Sequence, residues 1–286
     1  MKAHHSIGIF YVALATLGWA ALGSWVLLMP ASVHPLAFSG ARGLVIAVSF
    51  AWVIIQARIA ERCPGPSAAR IPLVIVAGCA YGLASITYVA SLGMIPVGVA
   101  APLHYTSPVF LIFGTAIVRR ALPKRHEWIG VALGMTGATV LLARAPHGAS
   151  LGVSLAIASA GFWALYIALH GSLSAHENSF AACTGGVVMF VFSVPWYHIG
   201  LITPSVAALL LIAGVVSSSF PLACLTRASA TLTPSSIALL LLCEPSVAAL
   251  LAYVTTEQAI EPVKGVGLAL ITAGAASPLF APAARR

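Results

Sequence analysis

Long apolar blocks separated by short polar or basic punctuation run the length of this chain, and each block is about as long as a bilayer crossing. A spanning helix needs roughly 20 mostly apolar residues. The pattern predicts ten such helices, at 8–29, 36–56, 71–92, 97–118, 127–143, 151–170, 180–200, 205–224, 234–254 and 264–281. The first follows Lys2 and outruns the apolar region of a signal peptide, about 7–15 residues, so it reads as a retained helix. The connections are too short to fold as soluble domains.

Composition agrees with the pattern. Charged residues make up 7% of the chain and hydrophobic ones 60%, with a mean hydropathy of +1.02, whereas soluble domains carry about 25% charged residues. The expected class is an all-α membrane protein, with the lipid bilayer as its first partner. A net charge of +8 would suggest nucleic acid in a soluble protein, but here the cations are sorted by loop. With the N-terminus in the cytoplasm, Lys2, Arg58, Arg62, Arg70, Arg119, Arg120, Lys124, Arg125, Arg227, Arg285 and Arg286 fall inside; Arg42, Arg144 and Lys264 fall toward the outside. The positive-inside rule then sets both termini in the cytoplasm, and the charge needs no nucleic-acid partner. Cys79, Cys183, Cys224 and Cys243 lie in the blocks and Cys63 in a basic loop, which is no disulfide framework.

The chain also repeats itself. Residues 126–143 run parallel to 263–280, with Gly130, Ala132, Leu133, Gly137 and Ala138 matching Gly267, Ala269, Leu270, Gly274 and Ala275 at an offset of 137. Pro108 matches Pro245 at the same offset, while Gly8, Trp19 and Ala20 match Gly152, Trp163 and Ala164 at 144. The expectation is two five-helix repeats, 1–146 and 147–286. Five is odd, so the second copy enters the membrane from the opposite side and the ten helices form an inverted pair. Such a pair encloses a path that alternates its access by exchanging the conformations of its halves. The competing reading is a stable bundle that moves nothing.

Polar residues inside the blocks mark the candidate pathway, because a lipid-facing position penalises them. Glu244 stands midway along the ninth block, where an ionisable residue costs at least ~2.5 kcal/mol; it suits a proton carrier, a partner for a substrate ammonium, or a packing carboxyl. Pro245 follows it and Pro108 occupies the matched place in the fourth block, each predicted to kink its helix and free a carbonyl, those of Leu241 and His104. His104 lies one turn from Pro108, which favours a cavity face over plain packing. Tyr81, Ser85 and Tyr88 share one helix face, as do Trp163, Tyr166 and His170. Trp19 is the match of Trp163, so two indoles could face one another; rings with a polar handle suit an amphipathic organic solute. Trp52, Trp128 and Trp196 sit near block ends as interface anchors. Arg42 either snorkels outward or pairs with a carboxylate, and Ser217, Ser218 and Ser219 before Pro221 form a hydroxyl cluster that can satisfy helix carbonyls.

There is no H-E-x-x-H, G-x-x-x-x-G-K-[ST] or C-x-x-C. No catalytic residue, cofactor or metal is expected, and transport without a nucleotide-binding loop would run on a gradient. On the ten-helix, two-repeat plan, the Trp in ATLGWA and ASAGFWALY, Arg42, and the stretch LTPSSIALLLLCEPSVAALLAYVTTEQ with its Glu-Pro and closing Glu257, the chain resembles EamA-type transporters of the drug/metabolite transporter superfamily. Within the family it is similar to bacterial amino-acid exporters of the threonine/homoserine or aromatic kind. The resemblance implies export of small organic solutes across the bacterial inner membrane, commonly driven by protons; the expected assembly is a monomer or homodimer. Ser107-Pro108 replaces Glu-Pro in the first repeat and Arg120 stands at the match of Glu257, which leaves Glu244 without a symmetric partner. Trp19, Tyr81, Tyr88, His104, Trp163, Tyr166 and Glu244 are the expected substrate residues; Arg42, Pro108, Glu244 and Pro245 are the expected coupling or gating residues. A sugar, nucleotide-sugar or drug carrier is the alternative, weakened by the expected lack of a midplane cation for a phosphorylated solute. A non-transporting membrane subunit is the other.

Overall fold

The computed structural model describes residues 2–22, 25, 28–30, 33–60, 65–95, 97–120, 122–142, 150–197, 203–256 and 262–277. Arg62, Cys63, Arg144, Glu257 and the terminal arginines of the sequence argument lie outside them. The order of helices is α1 (Lys2–Ala20), α2 (Pro35–Ile59), α3 (Ile71–Leu92), α4 (Val97–His104), α5 (Ser107–Arg119), α6 (Arg125–Leu142), α7 (Ser150–His170), α8 (Ala175–Ser193), α9 (Pro204–Gly214), α10 (Phe220–Ala228), α11 (Pro234–Leu240), α12 (Glu244–Thr256) and α13 (Pro262–Ala276). No strand occurs among the described residues. Among the described residues six helical stretches are long and apolar enough to cross a membrane: Pro35–Ile59, Ile71–Leu92, Val99–Val118, Ser150–His170, Ala175–Trp196 and Pro204–Ala228.

Helix starts follow their capping chemistry. His34 accepts the N–H of Leu36 through Nδ1 with Pro35 at the first helical position of α2. Thr203-Pro204 and Thr233-Pro234 open α9 and α11 the same way, each threonine hydroxyl accepting a backbone N–H two residues into the helix. Ser174 and Glu177 form a reciprocal capping box on α8. Three of the predicted blocks are interrupted where proline removes a donor. The fourth breaks at Tyr105–Thr106 before Pro108, and the ninth passes through a 3-10 turn, Leu241–Cys243, before Pro245. The eighth carries a π-helical turn, Val215–Ser219, just ahead of Pro221.

The bundle is apolar outside. Phe10, Leu17, Val48, Trp52, Ile117 and Val118 are exposed, while Ser39, Arg42, Ser159, His170, Asn178 and Ser217 are buried. That distribution suits a lipid surround, where inward positions are the ones that tolerate polar atoms. The principal packing partners are α2 with α8, α3 with α7 and α8, α6 with α13, and α1 with α10. Close approach between α6 and α13 depends on glycine: a Cβ on Gly137 would stand 2.5 Å from the Gly267 carbonyl oxygen, and one on Gly274 would stand 2.7 Å from that of Gly130. The sequence matches Gly130 with Gly267 and Gly137 with Gly274, so the contacts pair these positions crosswise. Gly8 packs on Leu232 and its match Gly152 packs on Ile95; those two neighbours are themselves 137 positions apart.

Candidate functional site

One cavity opens among α1, α2, α3, α4, α7 and the start of α12. Trp19, Leu22, Arg42, Tyr81, Ala84, Ser85, Tyr88, His104, Trp163 and Glu244 line it. Its free space, about 50 Å³ for the centres of water-sized spheres, holds a few water molecules at ~10–15 Å³ each. Of the residues expected from sequence to touch a solute, Trp19, Tyr81, Tyr88, His104, Trp163 and Glu244 are in the wall. Tyr166 is not: it is 1% exposed and lies behind the wall with ring centroids 5.1 Å from Tyr81 and 5.4 Å from Trp163. Pro108 and Pro245 are buried beside the helix breaks and do not line the space. Leu22 and Ala84 were not anticipated, since a single apolar residue in an apolar block carries no distinguishing signal.

Trp163 is the centre of the aromatic wall. Its ring lies 5.2 Å from Trp19 at 88°, 6.0 Å from His104 and 6.1 Å from Tyr81. Edge-to-face pairs of this kind contribute about 0.5–1.5 kcal/mol beyond area burial. Tyr88 packs on His104 at 4.6 Å. His104 Nδ1 lies 2.8 Å from the Ser159 hydroxyl, which also donates to the Ala156 carbonyl at 2.8 Å. A hydroxyl has one proton to give, so Nδ1–H donates to Ser159, and in the neutral ring Nε2 is left as an acceptor.

Arg42 departs from both expectations for it. It neither snorkels outward, being 2% exposed, nor joins a carboxylate, since Arg70–Glu177 is the ion pair found among the described residues. The cause is the π-helical turn. Pro221 cannot donate to the Ser217 carbonyl four residues earlier, and that oxygen accepts Arg42 Nη2 at 3.2 Å while the Ser218 hydroxyl accepts Nε at 2.8 Å. Nη1 is buried without a hydrogen-bond partner. A cation therefore does stand at the cavity, which removes the objection raised from sequence against an anionic solute. Glu244 places a carboxyl in the same wall.

At one end of the bundle Arg70, just before α3, grips Glu177 through two bonds of 2.6 and 3.0 Å and donates to the Ser172 carbonyl at 2.7 Å. The hydrogen bond to Glu177 raises the Arg70 pKa further above its ordinary value. The latch ties α3 to the α7–α8 connection, and two charges 107 positions apart carry no sign of it along the chain.

Residues 6–143 match the family model of the EamA-like transporter family. The chain carries an EamA-like transporter domain. That family belongs to the drug/metabolite transporter superfamily, and its members are membrane transporters of small solutes. No curated protein matches the chain in sequence. Among solved structures 22 chains are similar; one crystal structure is 18% identical, with a TM-score of 0.73, over 94% of this chain and 96% of that one. The likeness in fold thus extends past the matched EamA residues into the second half.

Proposed function

We propose that this EamA protein is a secondary transporter that exports amino acids or related small metabolites across the bacterial inner membrane by alternating access, with protons as the coupling ion. The two repeats, 1–146 and 147–286, are the moving halves, inverted about an axis in the membrane plane. The observation that carries the reading is the cavity itself: a guanidinium, a carboxyl and an aromatic wall gathered around the contact of Trp19 with its match Trp163. The crosswise glycine contacts of α6 with α13 and the matched helix breaks before Pro108 and Pro245 support the exchange of halves. Pro108 and Pro245 serve as hinges, and Glu244 carries a proton or meets the substrate amine.

Purified protein in liposomes with an imposed pH gradient tests this directly. Saturable counterflow of a labelled amino acid, competed by its unlabelled form, is the expected result. Counterflow of a sugar phosphate instead would favour the anion-carrier reading that Arg42 admits. No flux of any solute by folded protein would leave a non-transporting subunit.

A further inference from the structure

A guanidinium buried in an apolar bundle is costly unless each of its faces finds a partner. Arg42 has partners for Nε and Nη2 on the π-helical turn, which fix its plane, but none for Nη1. A purely structural arginine at that place would be expected to satisfy all three nitrogens. Arg42 instead keeps an unused, buried donor pair on a residue that lines the cavity, and Glu244 lines the same cavity from another helix without reaching ion-pair distance of it. A ligand carrying an anion and a cation on neighbouring atoms would complement both at once.

We propose that Arg42 is the carboxylate receptor of the cavity: Nη1 donates to the α-carboxylate of a zwitterionic amino acid, the Glu244 carboxylate accepts from its ammonium, and Trp19 and Trp163 wall its side chain. The proposal deepens the transporter reading and rests on it for the identity of the site. Planar guanidinium suits a carboxylate better than an ammonium donor does, because its N–H groups lie in one plane with fixed directions. Trp19 and Trp163 also supply an optical probe beside the ligand.

Binding is measured by tryptophan fluorescence on the detergent-purified full chain, with each common α-amino acid, then with the amide and the desamino acid of the tightest binder, and finally with a sugar phosphate. The wild type is expected to bind the amino acid about tenfold or more tightly than either analogue, since charge-assisted hydrogen bonds contribute about 1.5–3 kcal/mol and 1.4 kcal/mol is tenfold. Arg42→Gln brings the acid-to-amide ratio to about one; Glu244→Gln does the same for the ratio to the desamino acid. Arg42→Lys recovers part of the discrimination. Equal wild-type binding of acid and amide, equal loss of every ligand in Arg42→Gln, tighter binding of the sugar phosphate, or no binding of any amino acid overturns the proposal. If Arg42→Gln does not fold, the wild-type comparison and Arg42→Lys decide. Discriminating binding with no counterflow in liposomes would overturn the transporter reading and leave the receptor standing; counterflow without carboxylate discrimination would do the reverse.

Discussion

Trp19 and Trp163, 144 positions apart and matched in sequence, meet edge to face with ring centroids 5.2 Å apart. The contact joins α1 to α7 at the wall of the cavity. Trp163 also touches His104, Tyr81 and Tyr166, so its removal unsupports four rings at once. Trp163→Ala is expected to lower amino-acid affinity at least about tenfold and to destabilise the fold by roughly 3 kcal/mol, the low end for large core truncations. Trp163→Phe keeps most of both. Binding titration and thermal unfolding in detergent measure the two effects.

The helix breaks before Pro108 and Pro245 predict a split between binding and turnover. Replacing either proline by alanine restores a backbone donor and stiffens the kink. Maximal counterflow rate should fall several-fold with half-saturation little changed. A rise in half-saturation at unchanged rate would make the prolines elements of binding geometry.

The capping box on α8 and the Arg70 latch share Glu177. Ser174→Ala removes the cap alone and is expected to cost about 1 kcal/mol. Glu177→Ala removes the carboxylate half of the box and the latch together, so its melting temperature should fall further, and faster counterflow would show that the latch holds one end of the bundle closed. Arg70→Ala reproduces the second effect without the first.

Glycine substitutions should separate by position. Gly137→Ala places a Cβ against the Gly267 backbone oxygen, and Gly274→Ala against that of Gly130; neither oxygen is a flexible side-chain end, so both variants should lose folding yield and melt early. Gly114→Ala meets nothing within 4 Å and should leave stability equal or raised by up to about 1 kcal/mol through helix propensity. Melting curves of the three variants side by side make the comparison.

The apolar blocks named most helices, because block length and bilayer thickness are one constraint. The fourth block is a pair of helices and the ninth another, and the prolines foretold both breaks. Helix periodicity put Tyr81 with Tyr88 and Trp163 with Tyr166, but period gives a face and not the neighbour across from it. Hence Tyr166 lies behind the wall and Ala84 in it. Arg42 was misjudged for the same reason: its partners, the Ser217 carbonyl and the Ser218 hydroxyl, are about 175 positions away and become available only through the turn that Pro221 imposes. The latch between Arg70 and Glu177 likewise depends on which loops meet, which spacing along the chain does not encode.

The glycines of α6 and α13 have a mechanical meaning. Where two helices touch through carbonyl oxygens and Cα atoms, no layer of rotatable side chains lies between them to absorb a shift, and a slip along the axis drives backbone into backbone. In the proposed exchange of halves α6 and α13 form the fixed contact about which the two repeats turn, and the movement that admits or releases a solute has to be taken up elsewhere, in helices whose facing surfaces carry side chains able to give way.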